Sequence, residues 1–273
     1  MRTIPASELI INNDGSIFHL HVRPDQIATT ILLCGDPKRV DLIASHFDTK
    51  DFEVSSREFH TIGGTFNGKR IMCLSHGIGC DNIDIVVTEL DALANVDFST
   101  RMVKDKFRQL EIVRIGTSGS LQADIPIGSQ VIASKAIGFD GVLNFYAGRN
   151  EACDLEFERE FCEHVQWNPL WCKPYVIEAN DELVNRIGGD SMIHGCTISA
   201  VGFYGPQGRV LRCDLAVKEI NDLITDFRYE GQRITNYEME GSAIAGLSLL
   251  MGHKAMTVCC VIAQRKVEAA NTD

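Results

Sequence analysis

The chain has 273 residues, 45% of them hydrophobic and 23% charged, with a formal net charge of −11. That length suits one large α/β domain or two small ones, and the acidic balance speaks against a protein that wraps nucleic-acid backbones, which needs a basic field. No run approaches the roughly 20 consecutive apolar residues that span a bilayer, and Met1 to Glu8 lacks the apolar core of a signal peptide, so no membrane partner and a cytoplasmic location are expected.

In chain order, Ile31 to Cys34 reads as a short buried strand. Gly35-Asp36-Pro37 then offers an N-cap Asp with Pro at the first helical position, and Val40, Ile43, Ala44 and Phe47 continue at helical spacing. Arg70 to Ser75 is strand-like, and Ile83, Val86, Val87, Leu90 and Leu93 mark one apolar face of a second helix. Glu111 to Ile115 is a strand running into Gly116-Thr117-Ser118-Gly119, and Gln130 to Phe139 reads as a long strand. Asp214 to Phe227 and Gly241 to Met251 read as helices, and Lys254 to Ala263 as a buried strand. Strands alternating with helices predict a single-domain three-layer α/β/α fold over 1–273 with a central mixed, largely parallel sheet.

Ten cysteines show no C-x-x-C spacing, and several sit in apolar runs, where a thiol acts as a small buried hydrophobe; free thiols in a reducing compartment are expected. Among eight histidines only His19 and His21 lie close together, so no catalytic metal is expected.

Four short constellations carry chemistry. Gly35-Asp36-Pro37-Lys38-Arg39 sits at a strand end and opens a helix, where backbone N–H groups and Arg39 can grip an anion; it also suits an ordinary capped turn. Arg114-Ile115-Gly116-Thr117 places an arginine at a buried strand end beside glycines that admit close ligand approach; a plain strand-to-loop transition fits equally. Ser56-Arg57-Glu58-Phe59 adds a third arginine, or a solvated surface charge.

In Tyr237-Glu238-Met239-Glu240-Gly241 two carboxylates on an extended segment point to one side, ready for sugar hydroxyls or for the positive end of the helix that follows. Phe203-Tyr204-Gly205-Pro206-Gln207-Gly208-Arg209 surrounds an aromatic, an amide and a guanidinium with turn residues. Phe203 can stack on a flat base, while Gln207 and Arg209 match the polar edge of a pyrimidine; the segment is otherwise a Gly/Pro loop. No G-x-S-x-G, G-x-G-x-x-G or G-x-x-x-x-G-K-[ST] motif occurs, which counts against a serine hydrolase and a dinucleotide or NTP site.

These elements, in this order, resemble the nucleoside phosphorylase family, from Phe18-His19-Leu20 to Val261-Ile262-Ala263-Gln264-Arg265. Gln264-Arg265, where purine-cleaving members carry an Asp, makes the chain similar to the uridine-cleaving branch. The resemblance implies phosphorolysis of uridine, with inorganic phosphate as co-substrate and no cofactor. It implies a phosphate site of Gly35, Arg39, Arg114 and Thr117, completed by Arg57 of a neighbouring subunit. It places Phe203, Gln207, Arg209 and Arg265 at uracil, and Glu238, Met239 and Glu240 at ribose with the neighbour's His19. Arg114, Gln207, Arg209 and Glu240 would carry the catalysis. A homodimer is then the smallest active unit, with a homohexamer as the larger form. A structural K⁺ is implied at Glu58 and Ile78, with Asn82 where relatives carry Ser, and a further helix is implied beyond Asp273. A purine phosphorylase, a nucleosidase and a non-catalytic nucleoside-binding protein are the competing readings.

Overall fold

The alternation of strand and helix is realised in a computed structural model that describes residues 2–266 and 269–270. The chain begins with β1 (Thr30–Cys34), α1 (Pro37–Ala44), a hairpin of β2 (Thr49–Ser56) and β3 (Phe59–Phe66), and β4 (Lys69–Ser75). Next come α2 (Cys80–Asn95), a ribbon of β5 (Val96–Asp97) and β6 (Met102–Val103), the long β7 (Glu111–Ser120), and β8 (Gln130–Gly138). There follow α3 (Arg149–Ala152), α4 (Leu155–His164), β9 (Tyr175–Glu178), α5 (Asp181–Ile187) and β10 (Ile193–Ser199). The last elements are α6 (Ile220–Asp226), β11 (Arg228–Tyr229), β12 (Gln232–Glu238), α7 (Gly241–Leu250), β13 (Lys254–Gln264) and β14 (Ala269–Ala270).

One mixed sheet runs in the order β11-β12-β10-β8-β13-β7-β1-β4-β3-β2, with β9 and β14 pairing off this path. β13, β7, β1 and β4 are mutually parallel, and β12, β10 and β8 form a second parallel set. The two sets meet where β8 and β13 run antiparallel. The far end of β7 also pairs with β12, Ser120 opposite Asn236 and Gly119 opposite Tyr237, so the sheet curls back on itself.

Strand alternation sorts the core into layers. Ile31 and Leu33 of β1 pack with the apolar faces of α2 and α7. Leu32 and Cys34, on the opposite face, pack against Val40 and Ala44 of α1. On that second side Leu183 and Val184 of α5 meet Val113, Ile132 and Met256, while α4 and α6 contribute Phe157, Phe161, Ile220 and Ile224 to a separate cluster. Asp36 caps α1 by accepting from Lys38 N at 2.9 Å, with Pro37 in the first turn as predicted.

Two local expectations change, and one segment had no assignment. Gly116 to Gly119 does not leave the strand: β7 continues to Ser120, because β13 and β12 supply ladder partners on both sides. The helix expected from Asp214 begins only at Ile220; Leu215 and Val217, two residues apart, both line a cavity wall instead of one helical face. The segment around Arg57 is the tight turn of the β2–β3 hairpin, which has no clear apolar alternation, and Arg57 itself has φ 55°. All ten cysteines are free, and no helix among the described residues is long and apolar enough to cross a membrane.

Candidate functional site

Parallel strands leave their carboxyl ends on one edge, where loops can build a ligand crevice. The two parallel sets run in opposite directions, and a cavity of 720 Å³ opens where the carboxyl ends of β1 and β7 meet those of β10 and β12. Gly35 and Arg39 reach it from the β1–α1 junction, Arg114 and Thr117 from β7, and Glu238, Met239 and Glu240 from the β12–α7 junction. Phe203, Gln207 and Arg209 join them from the loop after β10.

Arg114 is the centre of this arrangement and is only 4% exposed. Its Nη1 lies 2.9 Å from Glu238 Oε2, its Nη2 pairs with Glu240, Nη1 also donates to Cys259 Sγ, and Nε donates to His76 Nε2 at 3.3 Å. Burial opposes its charge, but the Glu240 and Glu238 carboxylates together hold its pKa above the ordinary value. Glu240 is itself pushed up by burial, against the pull of Arg114. Arg114 and Gly116 share one face of β7, and the guanidinium folds back over the glycine. A Cβ at Gly116 would lie 2.5 Å from Nη1 and 2.8 Å from Cζ, so only glycine leaves this space.

The two carboxylates differ in what they have left to offer. Glu238 accepts from the N–H groups of Glu240 and Gly241 at the start of α7 and from the Ser199 hydroxyl, so it serves the helix N-terminus as well as Arg114. Glu240 accepts from Gly79 N at 2.8 Å and from Arg114, and has fewer partners. Gly79 has φ 103°, a conformation that favours glycine, and this aims its N–H at Glu240.

At the other end Arg209 Nη1 donates to Gln207 Oε1 at 2.5 Å and to the Phe203 carbonyl at 2.6 Å, while its Cζ sits 3.8 Å from the Phe203 ring centroid. No carboxylate pairs with Arg209 or Arg265 among the described residues. Burial, and next the charge of Arg265, lower the Arg209 pKa to about 10. Among the described residues the pair is therefore short of negative charge, and an anion forming beside Arg209 would supply it.

Of the other residues singled out from sequence, Glu58, Ile78 and Asn82 meet around Gly77 on the cavity wall. Three do not line it. Arg57 is exposed at the hairpin tip next to Glu58. His19 is held by Glu89, Nδ1 to Oε1 2.6 Å. Arg265 lies behind the loop of Phe203 to Arg209, 3.4 Å from the Gly208 carbonyl, with Nη1 buried and unpartnered among the described residues. The one His/Asp/Glu group able to share an ion among the described residues is Asp41, Glu53 and His60, none of which lines the cavity.

Sequence reading passed over His76, Gly77 and Gly79. Their signal was available: a strand, then glycines, then a helix, the same pattern that marked Gly35 to Pro37. His76 is buried, and burial first, then Arg114, hold its pKa well below the ordinary 6.5. The unfolded chain takes up this proton at about pH 6.5 while native His76 resists it, so stability falls as pH drops below that value. Between about pH 7 and 5 the melting temperature should fall more for the native chain than for His76→Gln, whose amide oxygen can still accept from Arg114. Parallel pH profiles would remove His76 as the cause.

Fold and crevice together define an α/β protein with a cavity at the carboxyl ends of its strands, holding an arginine–carboxylate clamp and an aromatic–guanidinium loop. The sequence model of the Phosphorylase superfamily matches residues 29–273, and the chain belongs to that family. Uridine phosphorylases of Thermococcus kodakarensis and Haemophilus influenzae are each 29% identical to it, over 92% of this chain and 79% and 87% of their own lengths. A nucleoside phosphorylase of Trypanosoma brucei, described as showing uridine phosphorylase activity, matches with a TM-score of 0.85 and 27% identity, covering 97% of this chain and 94% of that one.

Proposed function

We propose that this chain splits uridine with inorganic phosphate into uracil and ribose 1-phosphate. The observation that carries the reading is that one cavity holds both the anion-binding set around Arg114 and the base loop of Phe203, Gln207 and Arg209. Phosphate binds among Gly35, Arg39, Arg114 and Thr117, and one of its oxygens attacks the anomeric carbon. The N-glycosidic bond breaks as the sugar takes on oxocarbenium character, and its electron pair passes to uracil, which leaves as an anion. Gln207 and Arg209 receive that anion, supported from behind by Arg265. Ribose sits on Glu240 and Met239, with Glu238 fixing the segment through the start of α7. No protein nucleophile is involved; positioning and preorganised charge lower the barrier.

On this reading the exposed Arg57 and the peripheral His19 serve the neighbour's cavity, which makes a homodimer the smallest active unit. Glu58, the Ile78 carbonyl and Asn82 offer oxygen donors of the kind that suit a hard cation such as K⁺. Such an ion would brace the subunit contact and take no part in the chemistry.

The test follows the ultraviolet change of uridine cleavage with and without phosphate, with inosine in parallel. Phosphate-dependent loss of uridine with inosine untouched is expected. Cleavage without phosphate would mean a nucleosidase, cleavage of inosine a purine enzyme, and uridine binding without uracil release a sensor. Gly116→Ala should fold yet raise the phosphate KM by about tenfold to a hundredfold, since a displaced catalytic contact costs that much. An unchanged phosphate KM would separate Arg114 from the anion site.

A further inference from the structure

The chain's only two tryptophans, Trp167 and Trp171, lie together in the wall of a second cavity of 410 Å³. Trp167 meets Trp171 edge-on with ring centroids 5.0 Å apart, and Phe139 at 4.7 Å. Two acidic residues, Asp140 and Asp214, also line this space, and among the described residues no lysine, arginine or histidine does.

Asp140 is the more telling of the two. Its oxygens accept only from neutral donors: Val142 N at 2.8 Å, the Tyr175 hydroxyl at 2.9 and 3.0 Å, and the Ser242 hydroxyl at 3.0 Å. No cation pairs with it among the described residues, and burial raises its pKa above the ordinary carboxylate value. A carboxylate out of water without a counter-charge is costly, and aromatic faces attract cations. We propose that this cavity binds a small organic cation, a protonated amine on an aromatic or apolar body, its charge beside Asp140 and Asp214 and its body against Trp167, Trp171 and Phe139.

Two connections lead from this cavity to the first. Gly205 and Pro206 line the second cavity, while Phe203, Gln207 and Arg209 of the same loop line the first. The loop is tight, since a Cβ on Gly202 would come within 3.0 Å of the Pro206 ring. In addition, Ser242 joins Asp140 to Ser199, whose hydroxyl donates to Glu238. An occupant packed behind Pro206 therefore holds the base loop in place and lowers the KM for uridine, a consequence that rests on the function proposed above.

Because both tryptophans are in the cavity, intrinsic fluorescence reports on it directly. Benzylamine should change that fluorescence saturably, and benzyl alcohol, the same body without charge, should bind about tenfold more weakly. Asp140→Asn should weaken benzylamine binding about tenfold, and Asp214→Asn, at an exposed position, should weaken it severalfold. Equal titration by the amine and the alcohol, or no effect of Asp214→Asn and Asp140→Asn, would overturn the cation site. With the fluorescence change saturated, an unaltered uridine KM would overturn the link to the first cavity. A chain that binds benzylamine in this way yet never cleaves uridine would refute the proposed function and still support this site.

Discussion

Arg114→Ala should raise the phosphate KM by about a hundredfold or more and lower the melting temperature on the order of 10 °C. The first effect follows from losing charge-assisted hydrogen bonds worth about 1.5–3 kcal/mol each. The second follows because the arginine balances two buried carboxylates, Glu238 and Glu240, at 3% exposure each. Breaking a buried pair from one side costs about 3–5 kcal/mol, and about 2–4 °C accompanies each kcal/mol in a domain of this size class. Arg114→Lys separates the two effects. It keeps the charge and most of the stability, but a point charge cannot replace a planar fork that reaches His76, Cys259, Glu238 and Glu240 at once. Its phosphate KM should stay high while its melting temperature recovers. Calorimetry and phosphate titration of both variants check this, and a normal phosphate KM in Arg114→Ala would remove Arg114 from the anion site.

Arg209→Ala should lower kcat by about tenfold to more than a hundredfold and leave the fold intact. Arg209 sits in an irregular surface loop, and its bonds go to Gln207 and the Phe203 carbonyl, so little core packing depends on it. What disappears is the cation that meets the uracil anion as the bond breaks, worth about 1.5–3 kcal/mol in the transition state. The leaving group offers an independent check. A uridine whose base is more acidic, such as 5-fluorouridine, needs less help, so the variant's defect should shrink with it. Wild-type kcat in the variant would assign Arg209 to binding alone, and an equal defect with both substrates would separate it from the charge on the leaving base.

Part of the scaffold could be read from local pattern. The apolar face of α2 and the Asp36–Pro37 start of α1 appear where spacing and turn chemistry placed them. These are properties of neighbours in the chain, and 3.6-residue spacing or an N-cap needs no distant partner. The base loop was legible for a similar reason, since Phe203, Gln207 and Arg209 lie within seven positions and assemble with one another.

What the amino-acid order alone determined, then, is β1, α1, β4, α2, the start of β7, β8, α7 and β13, together with the residue types gathered in each loop. Tertiary structure decided the rest. Arg114 finds Glu240 from 126 positions away, β7 runs on through Gly116 to Gly119 because β12 and β13 flank it, and His76 joins the clamp from the end of β4. The tryptophan cavity likewise exists only once distant segments pack. Periodicity records which face of an element is apolar, but not which buried charge it will meet. That choice is made when strands far apart in sequence bring their carboxyl ends together and leave each buried charge to find a partner there.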